Sequence, residues 1–417
     1  MNDTINHFSD PWTTTRKCSF RFAFIFILTF VIVNNNGTFP MFTTITKPLT
    51  GMLYSFVPWF SQHILQYHYD YKIVTNGSGD TSYNWVLLFI IFVASFFGTI
   101  VWSFLDRKRK SYNACYYWLT VCIRYYVGFM LINYGAIKLA HAQMLPPTLH
   151  RLMEPLGEFS PMGLAWTFFG FSKEYNIFIG IIEILSAFLL FRKTMVLGAL
   201  ITIATSLNIM AVNYFFDVPV KLVSTALFLL ALYLLLPYLS SLYSLFIKGE
   251  KAQLATIERP VYKKTWKNRL RQIAKIGILG FFLVTQLIAL ADRNKLIKQY
   301  FKVSPLYGIY RIDHRLSDME SIPGNWRSII FEFEQIATIR DNDYLPIRQQ
   351  IALDTTKHTI SINNFTFDYQ VEENGDISLR KTWENEIEEI KLIKIDPETF
   401  ELRKQGFRWI QEYPNNR

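Results

Sequence analysis

Trp85–Phe104 reads WVLLFIIFVASFFGTIVWSF, twenty residues without a charge, and continues through Leu105 into Asp106–Lys110, DRKRK. An α-helix needs about 20 such residues to cross the hydrocarbon layer of a bilayer, and a basic cluster at one end marks the cytoplasmic side. This stretch sets the class, an α-helical integral membrane protein. Working outward, comparable blocks are Cys18–Val33, Tyr116–Ala140, Tyr175–Phe191, Thr194–Tyr214, Val220–Leu242 and Ile273–Ala291, about seven spans in all. Cys18–Val33 follows Arg16 and Lys17 as a signal peptide would. It runs into Asn34–Gly37 with no small-residue cleavage site, so it is read as a retained span.

The 417 residues are 51% hydrophobic and 17% aromatic, and the apolar blocks stop near residue 292. The formal charge of +10 comes mainly from clusters beside those blocks, where Lys and Arg act as topology signals; the expected partner is a lipid bilayer, not nucleic acid. With a cytoplasmic N-terminus, seven spans place Asp106–Lys110, Arg192–Lys193 and the basic stretch Lys248–Lys275, which includes Lys263, on the cytoplasmic side. Everything after the last span then falls outside the cytoplasm. Met41–Tyr67 and Met144–Lys173 mix apolar residues with prolines and read as segments lying on the outer leaflet.

From Tyr307 onward the pattern becomes short β-prone runs: Ser328–Phe333, Thr359–Ile362, Phe365–Val371, Ile377–Lys381 and Ile390–Ile393. Turn signals such as Asn363–Asn364 and Glu373–Asp376 separate them, and Phe365, Phe367 and Tyr369 alternate with polar residues as in a half-buried strand. The fold class expected is a transmembrane helical bundle followed by a small antiparallel β domain, as a sheet or small barrel. Four regions result: a two-span region at 1–113, a four-helix membrane unit at 114–247, a basic loop and last span at 248–292, and a β-rich domain at 293–417. Gly406–Arg417 carries Phe407, Arg408, Trp409, Tyr413 and Arg417, too aromatic for a loose tail, and is expected to pack on the sheet or the membrane.

Charges at bilayer depth normally face the bundle interior. In the third span Arg124, Gly128, Leu131, Gly135 and Lys138 share one stripe, and Gly180, Glu183 and Ala187 form a matching stripe in the fourth. Arg124 and Glu183 each lie about eight residues from a span end and are expected to form an intramembrane pair. Lys138, His141, Asn213, Asp217 and Lys221 fall near outer span ends and read as a polar mouth for an anionic head group, a quinone carbonyl or another substrate. Asp217 and Lys221, four apart, are also placed to pair with each other. Asp80, after Gly77–Gly79, reads as the cap of the second span.

Other chemistry finds little footing. His141 alone lies near membrane depth, which argues against a haem between helices, and the remaining histidines lack metal-site spacing. No GxGxxG, Walker loop or GxSxG is present. Cys18, Cys115 and Cys122 lie at or inside spans without CxxC spacing and read as buried thiols.

The residues of spans three to six resemble DoxX-like membrane proteins. The resemblance rests on Arg124 early in the first helix, Gly135-Ala136-Ile137-Lys138 near its end, Gly180-Ile181-Ile182-Glu183 in the second helix and Asn208 in the third. SPMGLAWTFFG (Ser160–Gly170), FDVPVK (Phe216–Lys221) and GFRWIQEYPNNR (Gly406–Arg417) are similar to segments of long proteins of this kind in Bacteroidetes-type bacteria. The resemblance implies a bacterial inner membrane, a periplasmic β domain and association with membrane oxidoreductase systems. It leads to the expectation of a quinone- or lipid-binding subunit of such a system, with quinone as the ligand and an oxidoreductase subunit as partner. Two alternatives stay open: a non-enzymatic scaffold whose β domain recruits an envelope partner, and a membrane enzyme using Lys138 or His141 as base with Glu183 orienting the site.

Overall fold

The computed structural model describes residues 12–69, 78–254, 256–257, 259–260, 264–313, 326–341, 346–362, 365–383, 386–404, 406 and 409–413. Gly77, Lys263, Asn363–Asn364, Phe407, Arg408 and Arg417 lie outside them. The chain divides into two compact units, one within Met1–Met144 and Ser172–Ala291, the other within Leu145–Phe171 and Asp292–Arg417.

The first unit is helical. Its elements are α1 (Thr14–Val33), α2 (Phe42–His63), α3 (Ser82–Leu105) and α4 (Asn113–Leu139). The second unit interposes α5 (Leu149–Leu152) and α6 (Pro161–Phe171), and the helical unit resumes with α7 (Lys173–Ile184), α8 (Met195–Phe215), α9 (Lys221–Leu235), α10 (Leu239–Phe246) and α11 (Thr265–Tyr300). Among the described residues, five stretches are long and apolar enough to cross a membrane: α3, α4, α8, Lys221–Phe246 and α11. The two other expected spans are also helical. α1 carries Arg16, Lys17 and Arg21, and α7 is 12 residues long, tightening into a 3-10 turn over Leu185–Leu190.

α4 is central because almost every face of it is apolar or small. Leu119, Ile123, Tyr126, Val127 and Met130 are fully buried, packed with Phe30 and Val31 of α1, Ala199 of α8 and Leu227 and Leu234 of α9. α8 approaches by a different device: a Cβ on Gly198 would meet the backbone nitrogen of Leu189 at 2.5 Å, so only glycine permits this contact. Cys18, Cys115 and Cys122 are free, partly buried thiols.

The second unit is built on a closed antiparallel barrel. Its strands are β1 (Val303–Ile312), β2 (Trp326–Phe333), β3 (Ile336–Asp341), β4 (Pro346–Asp354), β5 (Thr359–Ile362), β6 (Phe365–Val371), β7 (Ile377–Trp383) and β8 (Glu386–Ile395), with β8 pairing back onto β1. Closure removes every sheet edge. Alternation fills the inside: Ile329, Phe331, Ile339, Ile360, Phe367, Ile377, Leu379, Ile390 and Leu392 form one core. α12 (Glu401–Lys404) follows β8. Trp409, Ile410 and Tyr413 beyond it are 91%, 78% and 84% exposed, so these three described residues of the tail are not buried on the sheet, one of the two surfaces expected for them.

Residues Leu145–Phe171, inside the stretch expected to be a continuous membrane unit, fold with the barrel instead. Leu149 is fully buried against Ile309 and Ile330, residues on the strand faces opposite the barrel core. The Leu149 N–H donates to the Glu332 carboxylate at 2.8 Å, and Arg340 Nη2 donates to the His150 carbonyl at 3.2 Å. Hydropathy alone could not distinguish an apolar strap that covers a strand from one that lies on lipid.

The strap carries a pH dependence. Burial first, and then Arg340, Arg151 and Arg348, push the His150 imidazole down from its ordinary 6.5 to about 4. The unfolded chain therefore takes up this proton at higher pH than the folded one, and stability falls as pH is lowered from about 6.5 to about 4. Unfolding of the full chain followed by tryptophan emission against pH should show this loss, and His150→Gln should flatten it; an unchanged slope in the variant would assign the loss elsewhere.

Candidate functional site

The α4 stripe is buried along its length: Arg124, Gly128, Leu131, Gly135 and Lys138 all face inward. Glycine allows α7 to come close. A Cβ on Gly135 would meet the Gly180 carbonyl oxygen at 2.6 Å, and one on Gly180 would meet the Gly135 carbonyl oxygen at 2.8 Å. This backbone contact places Lys138 opposite Glu183, and Nζ donates to Oε1 at 2.7 Å and Oε2 at 2.9 Å. The two side chains are 7% and 0% exposed. Tyr134, one turn back on α4, presents its ring 5.8 Å from the same Nζ.

The intramembrane pair is therefore Lys138–Glu183, not Arg124–Glu183. Arg124 lies 14 residues from Lys138, roughly 21 Å along the helix. At its level α7 has already tightened into the 3-10 turn, whose last carbonyls lack helical partners. Arg124 donates to them, Nε to Leu189 O at 2.6 Å and Nη2 to Leu190 O at 3.0 Å. A stripe read from sequence gives the face of a charge but not its partner.

The expected mouth separates into parts. Lys138 makes its hydrogen bonds to Glu183, and His141 follows α4 in the left-handed region, with φ +49° and its N–H on the Lys138 carbonyl at 2.8 Å. Asn213, Asp217 and Lys221 come together at the α8–α9 turn. The Asn213 carbonyl accepts from Val218 N–H at 2.9 Å, and Lys221 Nζ meets Asp217 Oδ1 at 2.7 Å, so the pairing expected for those two residues is present. That pair is exposed, with the Asp217 side chain 81% accessible, and contributes little by itself.

Asp80 is the residue whose role differs most. Thr81, not Asp80, caps α3, and the Asp80 carboxylate instead accepts from the N–H groups of Lys221 and Leu222 at 2.6 and 2.9 Å. It caps α9 from 141 positions away, aided by a hydrogen bond from Gly79 N–H to Pro219 O at 2.8 Å. The residue type was a sufficient signal for a cap; only the tertiary fold could say which helix receives it. Arg21 was likewise hidden inside an expected span. It donates to Tyr112 Oη, Ser103 Oγ and the Asp106 carbonyl, joining α1 to α3 and the start of α4.

No known protein-family profile matches the chain, and no solved structure matches it. Over 139 residues, 31% of this chain and 80% of the relative, it is 36% identical to the "Uncharacterized protein YwoB" of Bacillus subtilis (strain 168).

The buried pair makes a double-variant prediction. Lys138→Met alone leaves the Glu183 carboxylate buried without its cation, a loss expected to cost about 3–5 kcal/mol. Adding Glu183→Gln should restore most of it, because no unpaired charge remains. Thermal unfolding in detergent decides: a single variant as stable as the parent would show that the pair imposes no such constraint.

Proposed function

The chain belongs to the same family as Bacillus subtilis YwoB. From the residues of its buried ion pair and the resemblance of spans three to six, we propose a DoxX-like, multi-pass protein of the bacterial inner membrane that binds a quinone or similar polar-headed lipid. The single observation that carries the reading is the buried Lys138–Glu183 pair. An ion pair at membrane depth is costly to keep and is typical of sites that handle a ligand or a proton. An ammonium has three donors, of which Glu183 takes two, and in this reading the third serves a ligand carbonyl. Phe178 and Ile181 of the same helix as Glu183, α7, are exposed apolar residues suited to lipid contact.

In this reading the protein is a subunit of a membrane oxidoreductase system and leaves electron transfer to its partner. Seven spans with a cytoplasmic N-terminus fit the basic loops, and the same topology puts the barrel in the periplasm. A second reading, a scaffold whose barrel recruits an envelope protein, draws on the side-chain-filled interior of the barrel, which leaves recognition to its outer surface. Photo-crosslinkers at the outward positions Gln350 and Gln370 should then capture one recurrent envelope protein in cells, and random capture would remove that reading.

For the primary reading, the full chain in lipid nanodiscs should bind a short-chain quinone saturably, seen as quenching of intrinsic fluorescence. Lys138→Met with Glu183→Gln, at temperatures where its thermal unfolding matches the parent's, should weaken binding about tenfold, the value of one lost charge-assisted hydrogen bond. No saturable binding by the parent, or equal affinity in the double variant, would overturn the proposal.

A further inference from the structure

At the other end of the α4–α7 contact, three basic side chains from separate elements meet. Arg124 of α4 is buried with its guanidinium on the carbonyls of Leu189 and Leu190. Lys275 of α11 reaches the same Leu190 carbonyl, with Nζ at 3.4 Å, and lies 4.7 Å over the ring of Phe191. Arg192, in the turn between α7 and α8, donates to the Ile257 carbonyl at 3.1 Å. Each feels the others: Arg192 acts electrostatically on Arg124, and both act on Lys275.

Among the described residues no carboxylate forms an ion pair with any of the three. The negative end of the α7 helix offsets roughly half a unit charge, which leaves about two and a half positive charges without an acidic counterpart among the described residues. Arg192 and Lys275 are half-buried while Arg124 is buried, so the cluster has a charged floor and a partly open rim.

The depth of the cluster is informative. Arg192 lies where the α7–α8 hairpin turns back, and Lys275 immediately precedes the apolar run Ile276–Ala291 of α11. Both positions mark the level at which hydrocarbon gives way to the phosphate layer of a bilayer. Arginine suits phosphate oxygens through its planar fork, and a lysine beside it adds a point charge. We infer that Arg124, Arg192 and Lys275 form a binding site for the phosphate of an anionic phospholipid head group. The site is independent of the quinone reading, since it shares no residue with the Lys138–Glu183 pair.

The test uses the full chain in nanodiscs of phosphatidylcholine mixed with phosphatidylglycerol, with retained lipid read by native mass spectrometry. The parent should retain phosphatidylglycerol in preference to phosphatidylcholine, and Arg192→Gln with Lys275→Gln should reduce that preference roughly tenfold or more. Arg192→Lys with Lys275→Arg preserves both charges and should keep most of it, which separates lost charge from lost folding. Arg107→Gln with Lys108→Gln removes two exposed charges elsewhere and should leave the preference intact. An equal loss in that control, or an unchanged preference in the first variant, would overturn the site. Stabilisation of the parent in pure phosphatidylcholine by inorganic phosphate, without retained phosphatidylglycerol, would overturn the lipid assignment in favour of a free anion.

Discussion

A bilayer offers no water to a buried polar group, and each such group in the helical unit must find its partner within the protein. The close backbone contact of Gly135 with Gly180 is what makes this possible for the most costly pair, because it brings an ammonium and a carboxylate into direct contact. The same requirement explains less conspicuous arrangements. Arg124 is satisfied by carbonyls that a 3-10 turn leaves free, Arg21 by a tyrosine, a serine and a carbonyl, and the first amides of α9 by the carboxylate of Asp80. In each case one long or flexible side chain neutralises the end or irregularity of another helix.

Much of the architecture was legible in the residues. The charge-free run Trp85–Phe104 could hardly be anything except a membrane helix, and Phe365–Val371 announced a strand by alternation. Three strands escaped. β1 contains Pro305 and Gly308 and shifts register between Val303 and Gly308, β3 is a six-residue strand, and β4 opens on Pro346 and carries the polar run Arg348–Gln350 at its centre. Bulges, shortness and exposed faces all dilute the period of two that identifies strands. The glycine stripe and its charges were readable as a helix contact because spacing alone puts them on one face.

Partners were harder to read than faces. Arg124 and Glu183 looked matched by counting from span ends, but that count assumes two regular helices, and the 3-10 turn after Ile184 breaks the assumption. Likewise Lys138 belonged on paper to an outer mouth with Asp217 and Lys221, yet a buried acid facing it from the neighbouring helix α7 is the stronger attraction. Depth estimates from sequence resolve a few ångströms at best, while the choice of partner is settled at hydrogen-bond distance.

The strap has a consequence for how the chain is made. Leu149 finds its hydrogen bond on Glu332, 183 positions later, so the ribosome finishes the strap long before the strands that will cover it exist. Until then its apolar residues have no protein surface to rest on. The connection between α4 and α7 is therefore one of the last parts of the molecule to reach its final form, and completion of the barrel becomes a checkpoint for a segment that the membrane helices had to carry unfinished.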